Sequence, residues 1–252
     1  SYSVTGVQTC ALPIYTEPGV LAPGAVLTCS SGAFGMAVSE HLLALLLSSI
    51  KNLAIYRDAQ NQGLWHRALP TRTIYGSTIL VVGLGDLGGT FARHVHAMGA
   101  YVIGVRRTVG AKPEGVDEIH PIEELDALLP RVDFVALNLP GSPSTNRMFD
   151  ADRIARMKPG SYIFNVGRGS VIDTDALVAA LESGHLAGAG LDVFEEEPLP
   201  AGHRLWQLPQ VLITHRTAGG YKLPATVESL FKILVANLVR FRSGQPLHNR
   251  ID

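Results

Sequence analysis

Six short apolar runs are spaced along the chain: "TILVVG" at 78–83, "YVIGV" at 101–105, "DFVALNL" at 133–139, "SYIFNV" at 161–166, "AGAGLDV" at 187–193 and "VLIT" at 211–214. Each has the length of a strand and few charges, the pattern of a strand buried on both faces. Between several of them lie stretches with helical spacing, at 86–98, 121–129, 150–157 and 174–183. In "DTDALVAALESGHL", Asp173 or Thr174 can cap the helix, Leu177, Ala180 and Leu181 form its apolar stripe, and Gly184 ends it. Strands alternating with helices in this way predict an α/β fold, a doubly wound parallel sheet covered on both faces. Residues 37–59 and 223–243 are predicted as longer flanking helices. The run 42–50 is apolar on nearly every face, so its helix is expected to be buried by the sheet domain and by another subunit.

Composition narrows the function classes. A chain of 252 residues with 46% hydrophobic and 17% charged residues is globular, with room for one or two domains. A formal net charge of −1 offers no basic field for nucleic acid. The two cysteines, Cys10 and Cys29, have neither metal-site nor redox spacing, which suits a reducing compartment, and no metal is expected. The longest apolar run, "LLALLLSSI", is too short to span a bilayer. A cytoplasmic protein without membrane or nucleic-acid partners is the expectation.

The first chemical signal is "VVGLGDLGG". Gly83, Gly85 and Gly88 follow a predicted strand and open a predicted helix, the context that a dinucleotide fingerprint requires. The first two glycines permit the turn and the approach of a pyrophosphate to the backbone. The third lets helix and strand pack closely, and the helix N-terminus favours the anion. An ordinary glycine-rich turn is the plain alternative. At the end of the next strand, "VIGVRRT" places Arg106 and Arg107 where an NAD site usually has a carboxylate. Two guanidiniums suit a 2′-phosphate, so NADP is favoured over NAD; a solvated surface pair is the other reading. In "NVGRGSVID", Arg168 lies between two glycines at a strand's carboxyl end, where a planar fork suits the carboxylate of a small acid. A turn arginine without ligand is the structural alternative. In "LDVFEEEPLP", Asp192 ends a strand, and the three glutamates after it by themselves read as solvated surface.

Together with "AVSEHLLALLL", "GLW", "LNLPGSPSTNRMF", "VLITHRTAGG" and "GQPLHNRID", these segments resemble the D-isomer-specific 2-hydroxyacid dehydrogenases from about residue 16 to residue 252. The resemblance implies a Rossmann-type NAD(P)-binding domain over 34–220, with remnants of a flavodoxin-like substrate domain over 15–33 and 221–252. Residues 1–14 match nothing in that family and are expected to be a non-native leader. The resemblance also implies roles: Arg168 holds the substrate carboxylate, and Glu197 partners the catalytic histidine. Cofactor contacts fall on Gly83, Gly85, Asp86, Leu87, Leu139, Pro140, Thr145, Val166, Gly167 and Asp192. Asp86 stands where the family often has a basic residue, so one phosphate-side charge is lost.

The family's string Thr-Pro-His-x-Ala-Gly corresponds here to Thr214-His215-Arg216-Thr217-Ala218-Gly219. Aligned without gaps, the histidine position is Arg216 and His215 takes the proline's place. Arginine can stabilise a developing alkoxide but hardly release a proton. The expectation is a local adjustment that brings His215 to the site as proton donor, paired with Glu197. The implied function is hydride transfer between NAD(P)H and a small 2-keto or 2-hydroxy acid, in a homodimer joined through the helix 37–59. The competing reading is a cofactor-binding homologue without turnover, as in corepressors that resemble this family, or an inactive fragment with exposed apolar surface.

Overall fold

The computed structural model describes residues 19–65, 67, 69–108, 110–220 and 223–251. The expected leader over 1–14 and Cys10 lie outside the described residues. The chain divides into two compact units, Met36–Gly219 and a second formed by the segments on either side of it.

In chain order the elements are β1 (Leu27–Thr28), α1 (Gly35–Ile50), α2 (Leu53–Asn61), β2 (Thr78–Val82), α3 (Asp86–Ala97), β3 (Tyr101–Arg106), β4 (Glu118–Pro121), α4 (Leu125–Leu128), β5 (Phe134–Leu137), α5 (Ala151–Arg156), β6 (Ser161–Asn165), α6 (Thr174–Glu182), β7 (Leu186–Leu191), β8 (Val211–Ile213), α7 (Pro224–Arg242) and β9 (Arg250–Ile251). Strands β2 to β8 form one parallel sheet in the order β4-β3-β2-β5-β6-β7-β8. The predicted doubly wound sheet is therefore present. From Ile79 to Val82 and from Phe134 to Leu137 every residue is buried, because both faces of these strands carry helices and neither has polar side chains to place. Fully burying one such Val, Leu or Ile contributes about 1.5–3 kcal/mol.

Strand β7 shows how close the layers come. A side chain at Gly190 would stand 2.6 Å from the Phe164 ring and 3.1 Å from Leu45 Cβ. The small residues of "AGAGL" thus let β7 lie between the β6 aromatics and helix α1. That helix buries Leu42, Leu45, Leu46 and Ile50. Its other side, with Met36, Glu40 and Ala44, is exposed in the single chain.

Two expectations are corrected. The helix predicted over 37–59 is two helices, bent by 67°. The break is at Asn52, whose backbone is left-handed at φ 56°. Lys51 Nζ donates to Arg72 O at 2.7 Å and Asn52 Nδ2 to Pro70 O at 2.9 Å, so tertiary bonds to the returning chain hold the kink. The strand β4 was not anticipated. "EIHP" has polar residues and a proline instead of an apolar run, which an edge strand paired only with β3 tolerates.

In the second unit, β1 pairs antiparallel with β9, Leu27 opposite Ile251. Asn237 of α7 clamps the turn before β9, donating to His248 O at 3.1 Å and accepting from its amide at 2.8 Å. No single described helix is long and apolar enough to cross a membrane.

Candidate cofactor and active site

The carboxyl ends of β2, β5, β6, β7 and β8 stand side by side, because these strands are parallel neighbours. Every sequence-predicted site residue except Arg106 and Arg107 lies at or just beyond one of those ends, and these two follow from β3 at the same edge. Ligands of open parallel sheets bind along this edge.

The glycine turn follows β2. Gly83 has φ 95°, and a side chain there would meet Asn138 O at 2.9 Å. At Gly88 a Cβ would stand 1.9 Å from Gly83 O, so the first turn of α3 lies directly on the loop. At Gly85 nothing is within 4 Å of the Cβ position, and no side chain caps α3 there. The loop is thus shut against side chains on its inner side and open at the helix N-terminus. Asp86 occupies the first helical position beside Leu87, so one carboxylate sits at this positive end.

At the end of β3, Arg106 is half-buried and Arg107 exposed. Arg106 Nε is buried and has no hydrogen-bond partner. A side chain at Gly110 would stand 2.5 Å from Arg106 Nη2, so the loop passes close beside the guanidinium. An orphaned buried donor of this kind costs about 1–3 kcal/mol until something accepts from it. Both the open glycine turn and this donor fit a phosphorylated dinucleotide.

Beyond β5, Leu139 and Pro140 lead into a turn closed by Thr145, whose hydroxyl donates to Pro140 O at 2.8 Å and accepts from the Ser142 amide at 2.9 Å. Beyond β6, Asn165 shapes the arginine loop: its Oδ1 accepts from the Gly167 amide at 3.0 Å and its Nδ2 donates to Arg168 O at 2.9 Å. Val166 is buried, and a Cβ at Gly167 would meet Leu139 O at 2.6 Å. At Gly169 it would stand 1.8 Å from the Phe194 carbonyl carbon. The two glycines around Arg168 thus let its loop lie between the 139 turn and the acidic loop. The guanidinium donates from Nη1 to Gly167 O at 2.9 Å.

Asp192, 2% exposed at the end of β7, organises the last loop. Its Oδ1 accepts from Thr214 Oγ1 at 2.6 Å and from the Thr217 amide at 2.9 Å, and its Oδ2 accepts from the Ala218 amide at 3.1 Å. Its carbonyl accepts from the Arg216 amide at 2.8 Å. The residues between are held in a tight turn, with Arg216 in the left-handed region at φ 53°. From there the Arg216 guanidinium donates to Glu197 Oε2, while Glu197 Oε1 accepts from the Phe194 amide at 3.1 Å.

The pairing expected between His215 and Glu197 is therefore corrected: Glu197 is bonded to Arg216. The His215 ring is turned to Trp206, with centroids 5.9 Å apart and planes tilted by 59°. The physical reason is the Asp192 turn, which sets position 216, not 215, toward the acidic loop. The acidic run is also more than solvated surface. Glu195 accepts from Arg147 Nε at 2.8 Å and from Thr174 Oγ1 at 2.9 Å, binding the loop to the neighbouring turns. The carboxylate raises the Arg147 pKa further by accepting from it. Thr214 and Arg147 were missed because their partners are distant in sequence, and Asn165 because its bonds to Gly167 and Arg168 in the same loop leave no recognisable pattern in the residue types. Among the described residues no group of three His, Cys, Asp or Glu side chains is placed to hold a metal ion.

Residues 43–218 match the family model of the D-isomer specific 2-hydroxyacid dehydrogenase, NAD binding domain. The chain is 37% identical over 180 residues to D-3-phosphoglycerate dehydrogenase of Mycobacterium bovis, covering 70% of this chain and 33% of that protein. It thus spans about a third of the length of that relative. It is 33% identical over 219 residues to glyoxylate reductase of Pyrococcus furiosus, covering 83% of this chain and 63% of that one. Among solved structures, a D-isomer specific 2-hydroxyacid dehydrogenase from Xanthobacter autotrophicus Py2, in complex with NADPH and MES, superposes with a TM-score of 0.83 at 34% identity, covering 96% of this chain and 97% of that chain. An NADPH-dependent glyoxylate/hydroxypyruvate reductase from Sinorhizobium meliloti, in complex with NADP and sulfate, gives 0.83 at 31% identity, covering 96% and 76%.

Proposed function

The chain belongs to the D-isomer specific 2-hydroxyacid dehydrogenase family, and we propose that it is the dinucleotide-binding part of an oxidoreductase acting on a small 2-keto or 2-hydroxy acid, with NADP(H) as its cofactor. The observation that carries the cofactor reading is the buried, partnerless Nε of Arg106 beside an open glycine turn. In this reading Gly83, Gly85, Leu87 and Gly88 receive the pyrophosphate, Arg106 and Arg107 the 2′-phosphate, and Leu139, Pro140, Thr145, Val166, Gly167 and Asp192 the nicotinamide half. When bound, the cofactor supplies the hydride. Arg168 orients the acid through its carboxylate. Asp86 subtracts from the phosphate-side field, which gives the two arginines a larger share of the binding.

A fluorescence titration of the chain with NADPH and NADH tests this. NADPH is expected to bind more tightly, by about 10- to 100-fold, the worth of hydrogen bonds to a charged group. Raised salt narrows the gap, and Arg106→Ala removes most of it. Equal affinities, or a preference for NADH, overturn the NADP reading.

The Arg216–Glu197 pair favours a second reading, cofactor binding without turnover. An arginine does not release its proton near neutral pH, and His215 faces Trp206. Glyoxylate-dependent oxidation of NADPH, compared between the chain and a double His215→Pro, Arg216→His variant, separates the two. Activity only in the variant supports the binder; activity in the parent chain supports an enzyme whose proton comes from elsewhere. A homodimer is part of the proposal, and the exposed Leu53, Leu64, Trp65 and Tyr75 on and after α2 support it. Light scattering that finds only monomer would exclude it.

A further inference from the structure

Helix α1 sends one polar side chain into the strand edge that nothing above has used. His41 Nε2 lies 2.9 Å from Thr214 Oγ1 and 3.5 Å from Asp192 Oδ1. The imidazole is 23% exposed and the carboxylate 3%. Its backbone is fixed, because α1 buries Ser39 and Leu42 on either side of it and Leu45 and Leu46 one turn on.

The donor inventory decides the direction of these bonds. A threonine hydroxyl has one proton, and an ionised carboxylate only accepts. Thr214 Oγ1 stands 2.6 Å from Asp192 Oδ1, so its proton is committed there. The same oxygen can then only accept from His41, which fixes the neutral ring as the Nε2–H tautomer. The reverse arrangement, with Thr214 donating to the ring, would withdraw a donor from a carboxylate that is nearly out of water. The order is therefore His41 to Thr214 to Asp192, and Asp192 in turn receives the amides of Thr217 and Ala218.

We propose that His41 is a positioning residue of the nicotinamide end of the site: it commits the Thr214 hydroxyl to Asp192 and so holds both the carboxylate and the 214–218 turn in one arrangement. The link to the nicotinamide rests on the cofactor reading above; the link to the turn does not. A residue on a rigid helix is a better anchor for this than one on the loop itself. Glutamine at 41 can present an amide donor near the position of Nε2, whereas leucine cannot.

Wild type, His41→Gln and His41→Leu are titrated with NADPH and with 2′-phospho-ADP-ribose, which lacks the nicotinamide. His41→Leu is expected to weaken NADPH about tenfold, one well-placed hydrogen bond, and to leave 2′-phospho-ADP-ribose unchanged. His41→Gln restores most of the loss. Equal weakening of both ligands, or none, overturns the proposal. A second arm needs neither cofactor nor variant: imidazole nitrogen-15 shifts of the wild-type chain should report the Nε2–H tautomer for His41, and an Nδ1–H tautomer overturns it. If the wild type binds neither ligand, the cofactor reading fails. The tautomer and the amide exchange of Thr217 and Ala218, faster in His41→Leu than in His41→Gln, then decide the role of His41 alone.

Discussion

At the scale of single residues, Asp192 and the loop glycines leave the least freedom. Removing the Asp192 carboxylate leaves the buried Ala218 amide without an acceptor, at about 1–3 kcal/mol, and leaves the Thr217 amide, at an exposed position, to water. Asp192→Ala is therefore expected to lower the urea midpoint clearly, with the slope unchanged, and to release the Arg216–Glu197 pair. A midpoint shift smaller than about 1 kcal/mol in stability would show that the turn holds without it. Gly88→Ala puts a methyl 1.9 Å from Gly83 O, a backbone atom that cannot step aside. Overpacking of this kind costs about 1–3 kcal/mol. The variant should melt lower and lose NADPH binding together, whereas Gly85→Ala, with open space around its Cβ, should melt as the parent does. Differential scanning calorimetry of the two variants checks the contrast.

At the scale of elements, the edge strand β4 depends on a polar clamp. Glu118 accepts from Arg131 and meets His120 at 2.8 Å, while His120 meets Glu124 at 2.7 Å on its other nitrogen. Arg131 first, and His120 next, hold the Glu118 carboxyl down from 4.5 to about 2. Glu118, then Glu124, raises His120 above its ordinary 6.5. The signs run oppositely. Glu118 has a lowered folded pKa, so its contribution is present above about pH 4.5 and lost as the pH falls toward 2. His120 has a raised one, so its contribution is complete below 6.5 and lost as the pH rises through the folded value. The clamp should be strongest between the two. His120→Gln is expected to flatten the neutral side of the stability–pH curve, and Glu118→Gln both sides, since His120 then loses its main partner. A curve from His120→Gln that parallels the parent from pH 5 to 8 would refute the assignment.

At the scale of the whole molecule, the two units differ in how much apolar surface they enclose. The larger one buries the central strands β2, β5 and β6 almost completely, and the smaller one has a two-stranded sheet and a helix with Phe231, Leu234, Val235, Leu238 and Val239 exposed. A run of large apolar side chains on one helix marks a surface that associates. The chain is expected to sediment as larger species with rising concentration, and Phe231→Glu with Val235→Lys to reduce this. Amide exchange should be slowest in β2, β5 and β6 and much faster in β1 and β9, because local opening follows buried contact. Equal protection in the two units would contradict this division.

What the sequence determined by itself is what local spacing controls. The apolar runs placed six of the seven sheet strands, since a strand buried on both faces has no choice but to be apolar. Gly83, Gly85 and Gly88 marked the turn after β2, and at Gly83 and Gly88 only glycine fits, because backbone there meets backbone. Arg106 and Arg168 were legible because a guanidinium at a strand's carboxyl end needs no distant partner to be noticed. The tertiary structure alone decided the rest. Residues 25 positions apart, Asp192 and Thr217, close the turn that puts Arg216 rather than His215 on Glu197. His41 reaches Thr214 across 173 positions. The kink at Asn52 answers to carbonyls 18 and 21 residues on. Propensity and periodicity report on neighbours within a few residues, whereas a side chain's partner is set by which strand ends the sheet brings together, and that is a property of the folded chain.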